Sequence, residues 1–587
     1  MKANLTTTKS KQKNRIPLPF NGIQINFCKN PNCKNFGVPA ELEGNFQGIS
    51  AKPIYNLISA GKAYPQLRCN SCLEHFPIKS NQGIGEELER FKSVFDTSLQ
   101  SCPDVQCSNH KIPTSTPKAY QSFGKTKSGS DRYRCKICKK TFAIGKATRY
   151  QKQPEITEQV FKLLVNKSPF RRICEVAGIH PETLYHRIDY LYEQCKTFTA
   201  SIETQLKTLP IKRLYLSVDR QDYMVNWSQR KDKRNNIFQA VATVDNETRY
   251  VFANHLNFDG GLDPSIVELD AARIDDNNIT PPFRRYARLW LECDYQKSVD
   301  AKKDLNGSIR LQDDIQHTYD KHNTRGDIES LDIVTPTMQL PKNGMQIHGE
   351  YTLYGHFFYL NQLLGNGNVE KIRFFLDQDS GIRASCLGAF QKEIVNRSCD
   401  VFYVSINKEL TVDEKRKRKN QSKKQFDEIR KLNPTFTIDE VKLLMLKKEL
   451  QRMKAIGKWK DEWLSHPLPD MSETEKAICY LTNLNDYDDD HLAWLYNKAS
   501  LHGVDSYFMV IRRRISLLER PIHSRSNSGR VWHGYGAYNP NNIVKLLGIF
   551  RCFNNYILVS DKDGKTPAMR LGLIDRPVTF QEVINFQ

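Results

Sequence analysis

Eight cysteines in the first 140 residues have a spacing suited to metal binding. They form two similar units, each with a C-x4-C pair followed by a C-x2-C pair. Structural zinc prefers four tetrahedral thiolates, which leave no open position for a reacting water. Because the unit occurs twice, we interpret the eight as two structural zinc ribbons with four cysteine ligands each. The first site comprises Cys28, Cys33, Cys69 and Cys72, and the second comprises Cys102, Cys107, Cys135 and Cys138.

Disulfides or buried apolar thiols are the alternative interpretation of these cysteines. A cytosolic chain disfavours disulfides, and core cysteines have no reason to recur in the same paired spacing. His110 could replace a cysteine ligand in the second site, although four cysteines are already available there. The other seven cysteines are scattered singly and are interpreted as core or surface thiols.

A second set of residues with catalytic potential consists of carboxylates. Asp219 ends the alternating segment LYLSVD, and Asp377 directly follows the apolar run FFL. Two divalent cations about 3.5–4 Å apart can support an in-line phosphoryl transfer, and Mg²⁺ prefers carboxylate ligands. Asp379 lies in the turn after the strand; we prefer Asp377, and the choice between them stays open.

A third metal-binding carboxylate usually comes from a later helix. Glu519 is the strongest candidate because apolar residues and arginines surround it. On residue statistics alone, a surface glutamate in a salt bridge is the commoner situation.

These acids require a sheet that brings two strand ends together. Three β-rich segments from residue 212 predict an antiparallel meander. A helix, a strand, a helix and a further strand follow, which is the element order of an RNase H-like domain. In that arrangement the first strand lies beside the strand after the first helix. Asp219 and Asp377 are therefore expected to meet.

The segment 151–207 has a helical pattern interrupted by short breaks. Gly178 supplies a turn, and Pro181 suits the first turn of the next helix. We interpret the segment as a helix-turn-helix, in a basic context that favours DNA. An ordinary helical hairpin is the alternative. The residues predicted to face a DNA groove are Thr183, Tyr185, His186 and Arg187.

The positive charge of the chain predicts a polyanionic partner. Lys+Arg 87 against Asp+Glu 66 gives +21, and residues 1–200 contain 31 basic and 15 acidic residues, or 31 − 15 = +16. Nucleic acid is the first expectation. Residues expected to contact phosphate flank the second cysteine unit (Arg132, Arg134 and Lys139) and Glu519 (Arg512, Arg513 and Arg525).

Four motifs resemble the DDE-type transposases of bacterial insertion sequences. They are SVDRQ, FFLDQDSGIRAS, SLLERPIHSRSNSGRVWHGYGAYNP and the closing LLGIFRCFNNYILVSDKDGKTPAMRLGL. The ribbons and the helix-turn-helix are also similar to those of such transposases. The resemblance implies that Asp219, Asp377 and Glu519 bind two Mg²⁺ or Mn²⁺ ions per active site. It also implies that the chain cleaves a DNA strand at the insertion-sequence end, and that the freed 3′-OH then attacks a phosphodiester of target DNA and joins the two strands.

A dimer or larger assembly on DNA is expected, because two ends must be joined in concert. Two rival functions remain open. One is a non-catalytic DNA-binding regulator derived from a transposase, and the other is an RNase H-like nuclease without strand transfer.

The expected fold class is multidomain α+β. The domains are zinc ribbon 1 (1–97), zinc ribbon 2 (98–150), the helix-turn-helix (151–207), the first part of the catalytic domain (208–406), a mostly helical insertion (407–505) and the C-terminal catalytic part with Glu519 (506–587). The insertion opens with the basic run KRKRKNQSKK, which suits phosphate contact or a solvated helix face.

No membrane association is expected. No apolar run approaches the ~20 residues of a membrane-spanning helix, and the N-terminal segment lacks the apolar middle of a secretory signal. We expect a cytoplasmic, nucleoid-associated bacterial protein.

Overall fold

A computed structural model gives a mixed α+β protein. It describes residues 15–42, 53–58, 65–93, 100–110, 112, 114, 116, 118–127, 130–145, 147–148, 151–227, 233–297, 338–365, 367–456, 461–520 and 532–586. None of the helices in these ranges combines the length and hydropathy needed to span a bilayer.

Two small antiparallel sheets of three strands each precede residue 150. The first consists of β1 (Tyr55–Ile58), β2 (Gln66–Cys69) and β3 (His75–Pro77), and helix α1 (Asn81–Lys92) follows it. The second consists of β4 (Tyr120–Lys125), β5 (Asp131–Cys135) and β6 (Thr141–Ile144). In each sheet the middle strand ends at the first cysteine of the C-x2-C pair.

Three helices follow where the sequence predicts helical structure. They are α2 (Glu155–Leu164), α3 (Phe170–Ala177) and α4 (Pro181–Glu203). Gly178 ends α3 with φ 63°, a left-handed conformation that suits glycine, and Pro181 opens α4. The turn chemistry of this segment is therefore as predicted.

The central part of the chain contributes five strands to one large sheet. In chain order the elements are β7 (Ile211–Val225), β8 (Asn236–Asp245), β9 (Val251–Leu256), β10 (Phe258–Asp259), α5 (Pro264–Arg273), β11 (Met345–Gln346), α6 (Gly349–Leu364), β12 (Val369–Asp377), α7 (Ser380–Ala389), α8 (Gln391–Val395) and β13 (Cys399–Ile406). β7, β8 and β9 form the predicted antiparallel meander. β12 lies between β7 and β13 and is parallel to both.

The segment predicted to be a mostly helical insertion also contains strands. It comprises α9 (Val412–Leu432), α10 (Ile438–Leu450), β14 (Lys454–Ile456), β15 (Asp461–Ser465), β16 (Lys476–Tyr480) and α11 (Asp489–Lys498). β16 pairs with β13, so the central sheet has eight strands in the order β14-β15-β16-β13-β12-β7-β8-β9. This segment is thus continuous with the sheet, which the sequence analysis did not anticipate.

The C-terminal helices complete the core. They are α12 (His502–Arg514), α13 (Pro540–Cys552), α14 (Pro567–Leu571) and α15 (Phe580–Ile584). α12 packs against β7 and β8, and α13 packs against α4. One continuous hydrophobic core extends from Ile23 to Ile584.

The first cysteine unit is docked onto the central domain through buried charges. Glu74 accepts a hydrogen bond from Arg383 of α7 at 3.1 Å, and these side chains are only 1% and 2% exposed. Lys79 donates to Glu350 of α6 at 2.9 Å. The second cysteine unit forms a separate small cluster. The described part of the first cysteine unit therefore packs against the central domain.

Glu74→Ala should lower the free energy of unfolding by about 3–5 kcal/mol, because it leaves the Arg383 guanidinium buried without its carboxylate. Urea denaturation measures the change. Glu89→Ala is the matched control: it removes the exposed pair with Lys92 and should cost at most about 1 kcal/mol. Equal effects of the two substitutions would contradict a structural role for the buried pair.

Candidate functional site

The two cysteine quartets have the geometry of zinc sites. In each quartet the four Sγ atoms lie within 4.8 Å of one another. The Sγ atoms of Cys28 and Cys72 are 3.5 Å apart, and those of Cys107 and Cys135 are 3.7 Å apart. Four thiolates bound to a tetrahedral zinc at ~2.3 Å lie roughly 3.8 Å from one another. Two structural zinc ions therefore fit these clusters.

The two units also repeat their supporting hydrogen bonds. Tyr55 accepts from the Cys28 N–H at 3.0 Å, and Tyr120 accepts from the Cys102 N–H at 2.9 Å. An asparagine amide donates to a cysteine sulfur in each unit, at 3.3 Å from Asn35 and at 3.4 Å from Asn109. Such bonds orient thiolate ligands and stabilise their charge. Neither the tyrosines nor the asparagines were singled out from the sequence.

The second unit presents a basic and aromatic surface. Arg132 and Arg134 lie over the ring of Phe123, with 5.4 Å and 5.8 Å between guanidinium carbon and ring centroid. Phe123 is itself 43% exposed, and Lys139 is exposed at the adjacent turn. Arg134 and Lys139 are exposed and Arg132 is half-buried, so at least two of the three predicted side chains are accessible for phosphate contact.

The four residues predicted to face a DNA groove lie at the N-terminal end of α4 and differ in exposure. Tyr185 and His186 are exposed, and Thr183 is half-buried. Arg187 is only 7% exposed and donates hydrogen bonds to the carbonyl oxygens of Lys152 and Gln153. The prediction for Arg187 is wrong, because its guanidinium holds the chain segment that leads into α2 instead of facing solvent.

The central carboxylate site lies where β7 and β12 run side by side. Leu376 pairs with Val218 in the parallel register, so Asp377 and Asp219 follow at the same level. Neighbouring strands are about 4.8 Å apart, and residues at one level point to the same face. Burial and the nearby Asp377 carboxylate raise the pKa of Asp219 to about 8. The two predicted aspartates are thus brought together.

Helix α12 adds a third carboxylate that the sequence analysis missed. The Val504 N–H donates to the Ser217 hydroxyl at 3.0 Å, and Arg512 donates to the Gln221 side chain at 2.7 Å. Ser217, Asp219 and Gln221 alternate along β7 and therefore share a face. α12 lies across that face, and its residue Asp505 follows Val504 directly.

Lys408 interacts electrostatically with all three carboxylates. The Lys408 ammonium lies 4.0 Å from an Asp219 carboxylate oxygen. Although burial alone would lower the pKa of Lys408, the charges of Asp219, Asp377 and Asp505 raise it. In turn, burial raises the pKa of Asp505, and Lys408 opposes that effect. Three carboxylates therefore converge near one cation.

Asp379 has a different environment from Asp377. Its carboxylate caps α7 by accepting from the Ile382 N–H at 2.9 Å, and it pairs with Arg220. A carboxylate engaged in both contacts is a positioning group. Asp377 remains the better candidate ligand, because it occupies the strand end beside Asp219.

Glu519 is not on a helix. α12 ends at Arg514, and Glu519 follows the short 3-10 turn Ser516–Leu518. Its carboxylate pairs with Lys167 in the connection between α2 and α3. Burial alone would raise the pKa of Glu519, but Lys167 lowers it. The prediction that this acid lies on a helix is wrong, and its carboxylate is paired with the α2–α3 connection instead.

The arginines predicted near Glu519 differ in accessibility. Arg512 is partly buried and hydrogen-bonded to Gln221, whereas Arg513 is exposed. Arg525 lies outside the described residues. Only Arg513 combines a described position with a freely accessible side chain.

Comparison with protein-family models and with curated proteins found no match for this chain.

The chemistry of the possible ligand atoms indicates which metal ions they suit. Thiolates with amide support suit zinc, and clustered carboxylates suit Mg²⁺ or Mn²⁺. The cysteine quartets therefore fit the two structural zinc ions that the sequence predicts.

Cys33→Ser and Cys107→Ser should each reduce the zinc content from two ions per chain to one, measured by plasma mass spectrometry of the purified protein. Cys33→Ser should also lower the main unfolding temperature by about 5 °C or more, because its cluster is docked onto α6 and α7. Cys107→Ser is the matched control and should leave that transition unchanged. Identical melting curves for the two variants would contradict the structural difference between the units.

Proposed function

We propose that the chain is a DNA transposase that cuts and joins DNA strands with divalent metal ions. The observation that carries this proposal is the convergence of Asp219, Asp377 and Asp505 near Lys408. Buried carboxylates at neighbouring strand ends are unfavourable without positive charge. Such a cluster suits a site that admits hard cations and a phosphodiester.

The sheet topology supports an RNase H-like catalytic domain. A meander of three strands is followed by a helix, a central parallel strand, a helix and another parallel strand. In this fold class the first and fourth strands are neighbours, and their ends carry metal-binding acids. β7 and β12 have this relationship, and Asp219 and Asp377 occupy the corresponding ends.

Asp219, Asp377 and Asp505 would hold the Mg²⁺ or Mn²⁺ ions. Two such ions supply Lewis-acid activation of the attacking oxygen and stabilisation of the leaving oxygen in phosphoryl transfer. The chain's own contribution is to hold the carboxylates in fixed positions. β7 and β12 fix two of them, and the hydrogen bond from Val504 to Ser217 fixes the helix that bears the third.

Asp505 takes the role that the sequence analysis gave to Glu519. The carboxylate of Asp505 lies on a helix packed across β7, whereas that of Glu519 is engaged by Lys167. The Lys167 N–H also donates to the Arg514 carbonyl at 2.7 Å. Glu519 thus acts as a positioning residue that joins the α2–α3 connection to the end of α12.

DNA recognition is assigned to α4 and the second cysteine unit. α3 and α4 form a helix-turn-helix, with Tyr185 and His186 on the accessible face of the second helix. Arg132, Arg134 and Lys139 supply basic groups nearby in the sequence. The first cysteine unit has a structural role, since its charged side chains are buried against α6 and α7.

A donor plasmid that carries the coding sequence with its native flanking DNA tests the proposal. With Mg²⁺ and a target plasmid, the wild-type protein should produce joined products. Asp219→Asn, Asp377→Asn and Asp505→Asn should each reduce them by about 100-fold or more, since each removes a ligand charge. Glu519→Gln should reduce them less.

The rival functions predict different products. Nicking without joining would indicate a nuclease, and DNA binding without metal-dependent cutting would indicate a regulator. If Glu519→Gln is inactive and Asp505→Asn is fully active, the third metal-binding carboxylate is Glu519 and not Asp505.

Calorimetric titration with Mn²⁺ gives a measurement that does not depend on activity. Asp219→Asn, Asp377→Asn and Asp505→Asn should weaken Mn²⁺ binding by about 10-fold or more, because each removes a carboxylate charge from the site. Glu519→Gln is the matched control and should bind like the wild type. Unchanged binding in Asp505→Asn would contradict its assignment as a ligand.

A further inference from the structure

Helix α9 is the most strongly basic element of the described chain and has no buried residue over its 21 positions. Residues 415–424 include seven basic and no acidic side chains. Surface helices of globular proteins normally bury an apolar stripe, and clustered like charges on a helix face destabilise it. A folded helix of this composition suggests an anionic partner.

The two faces of α9 differ in burial and in charge. The half-buried positions, spaced three or four residues apart, form the face toward the protein: Lys415, Arg418, Ser422, Phe426 and Ile429. At ~100° per residue, Lys417 and Lys424 lie opposite this face, and Arg416, Lys423 and Lys419 lie along one side of the helix. All five side chains are exposed and together form the outer face. The four lysines among them have no carboxylate within ion-pair distance among the described residues.

Contacts on the inner face fix the orientation of α9. Arg418 pairs with Glu475 at 2.6 Å, and the Ser422 hydroxyl donates to the Pro467 carbonyl at 2.7 Å. A capping box between Thr411 and Glu414 fixes the first turn. The outer face is therefore presented to solvent in one defined direction.

The helix begins close to the carboxylate site. Thr411 caps α9 only three residues after Lys408, whose ammonium contacts Asp219. The three steps from Lys408 to Thr411 span at most about 11 Å when fully extended, so the first turn of α9 lies near the lysine that contacts the carboxylate site of the proposed function. From there α9 is about 31 Å long at ~1.5 Å per residue, which corresponds to roughly nine base pairs.

We propose that the outer face of α9 binds the phosphate backbone of duplex DNA next to the strand being cut or joined. This inference rests on the proposed function only for the identity of that DNA, which is either the flank of the cleaved end or the target. Lysine and arginine side chains along one helix face match a row of phosphates without reading base sequence. Rigid attachment beside the carboxylates would keep the duplex in line with them.

The test compares a fivefold variant, R416Q/K417Q/K419Q/K423Q/K424Q, with a control that loses the same charge elsewhere. The control replaces five exposed lysines on other surfaces by glutamine: Lys207, Lys212, Lys392, Lys562 and Lys565. The probe is a fluorescein-labelled 40-base-pair duplex of arbitrary sequence, titrated in Ca²⁺ at several salt concentrations. Circular dichroism and melting temperature verify that both variants are folded.

The α9 variant should bind the duplex at least about 10-fold more weakly than the wild type, and the slope of log K against log salt should become smaller by about 3–5, because each released phosphate contact changes it by ~0.9. The control should change the slope much less. Equal slopes for the two variants, or selective loss of binding to a single-stranded RNA or polyglutamate probe, would overturn the inference.

The donor-plasmid assay distinguishes the two DNA sources. Reduced cleavage in the α9 variant would assign the helix to the flank, and normal cleavage with reduced joining would assign it to the target. Failure of the proposed function is separately visible, since duplex binding in Ca²⁺ requires no cutting. If the wild-type protein never cuts DNA but the α9 variant still binds the duplex more weakly, this inference holds and the proposed function fails.

Discussion

The parallel pairing of β7 with β12 is the constraint on which the site depends. It places two aspartates at one level of neighbouring strands, within an environment that gives their charges little hydration. Two carboxylates so arranged repel each other, and the fold maintains them because hydrophobic residues on both strands bury the rest of the sheet. Positive charge reduces the cost of that repulsion, and Lys408 supplies such a charge to Asp219.

The surrounding elements bring further charged side chains close to Asp219 and Asp377. α12 lies across β7 and adds Asp505, while the end of β13 leads to Lys408 and then to the basic helix α9. Asp379, just beyond the strand, is engaged by Arg220 and by the start of α7. The acids that look alike in the sequence therefore have different roles, determined by which partner each carboxylate meets.

The sequence was sufficient for features that depend on local pattern. The cysteine spacing predicted both quartets, and Gly178 and Pro181 marked the turn before α4. Alternation predicted the meander, and the order of the elements predicted the placement of Asp219 beside Asp377. Long-range packing was not readable in this way. Asp505 lies in an unremarkable helical segment and gains its significance only from the contact between Val504 and Ser217. Arg187 looked like a groove residue because nothing local indicated that it would be buried. The assignment to transposases remains a prediction from the resemblance.

The docking of the first cysteine unit has a consequence for how the chain reaches its native state. Glu74 and Arg383 are 309 positions apart, and Lys79 and Glu350 are 271 apart. During synthesis the N-terminal unit emerges first, long before α6 and α7 exist. Its charged docking face must then stay solvated until those helices arrive, and contacts of such high sequence separation form slowly. A first cysteine unit that has already bound zinc and folded would dock onto α6 and α7 as a rigid body. The order of zinc binding and chain elongation therefore affects the yield of assembled protein.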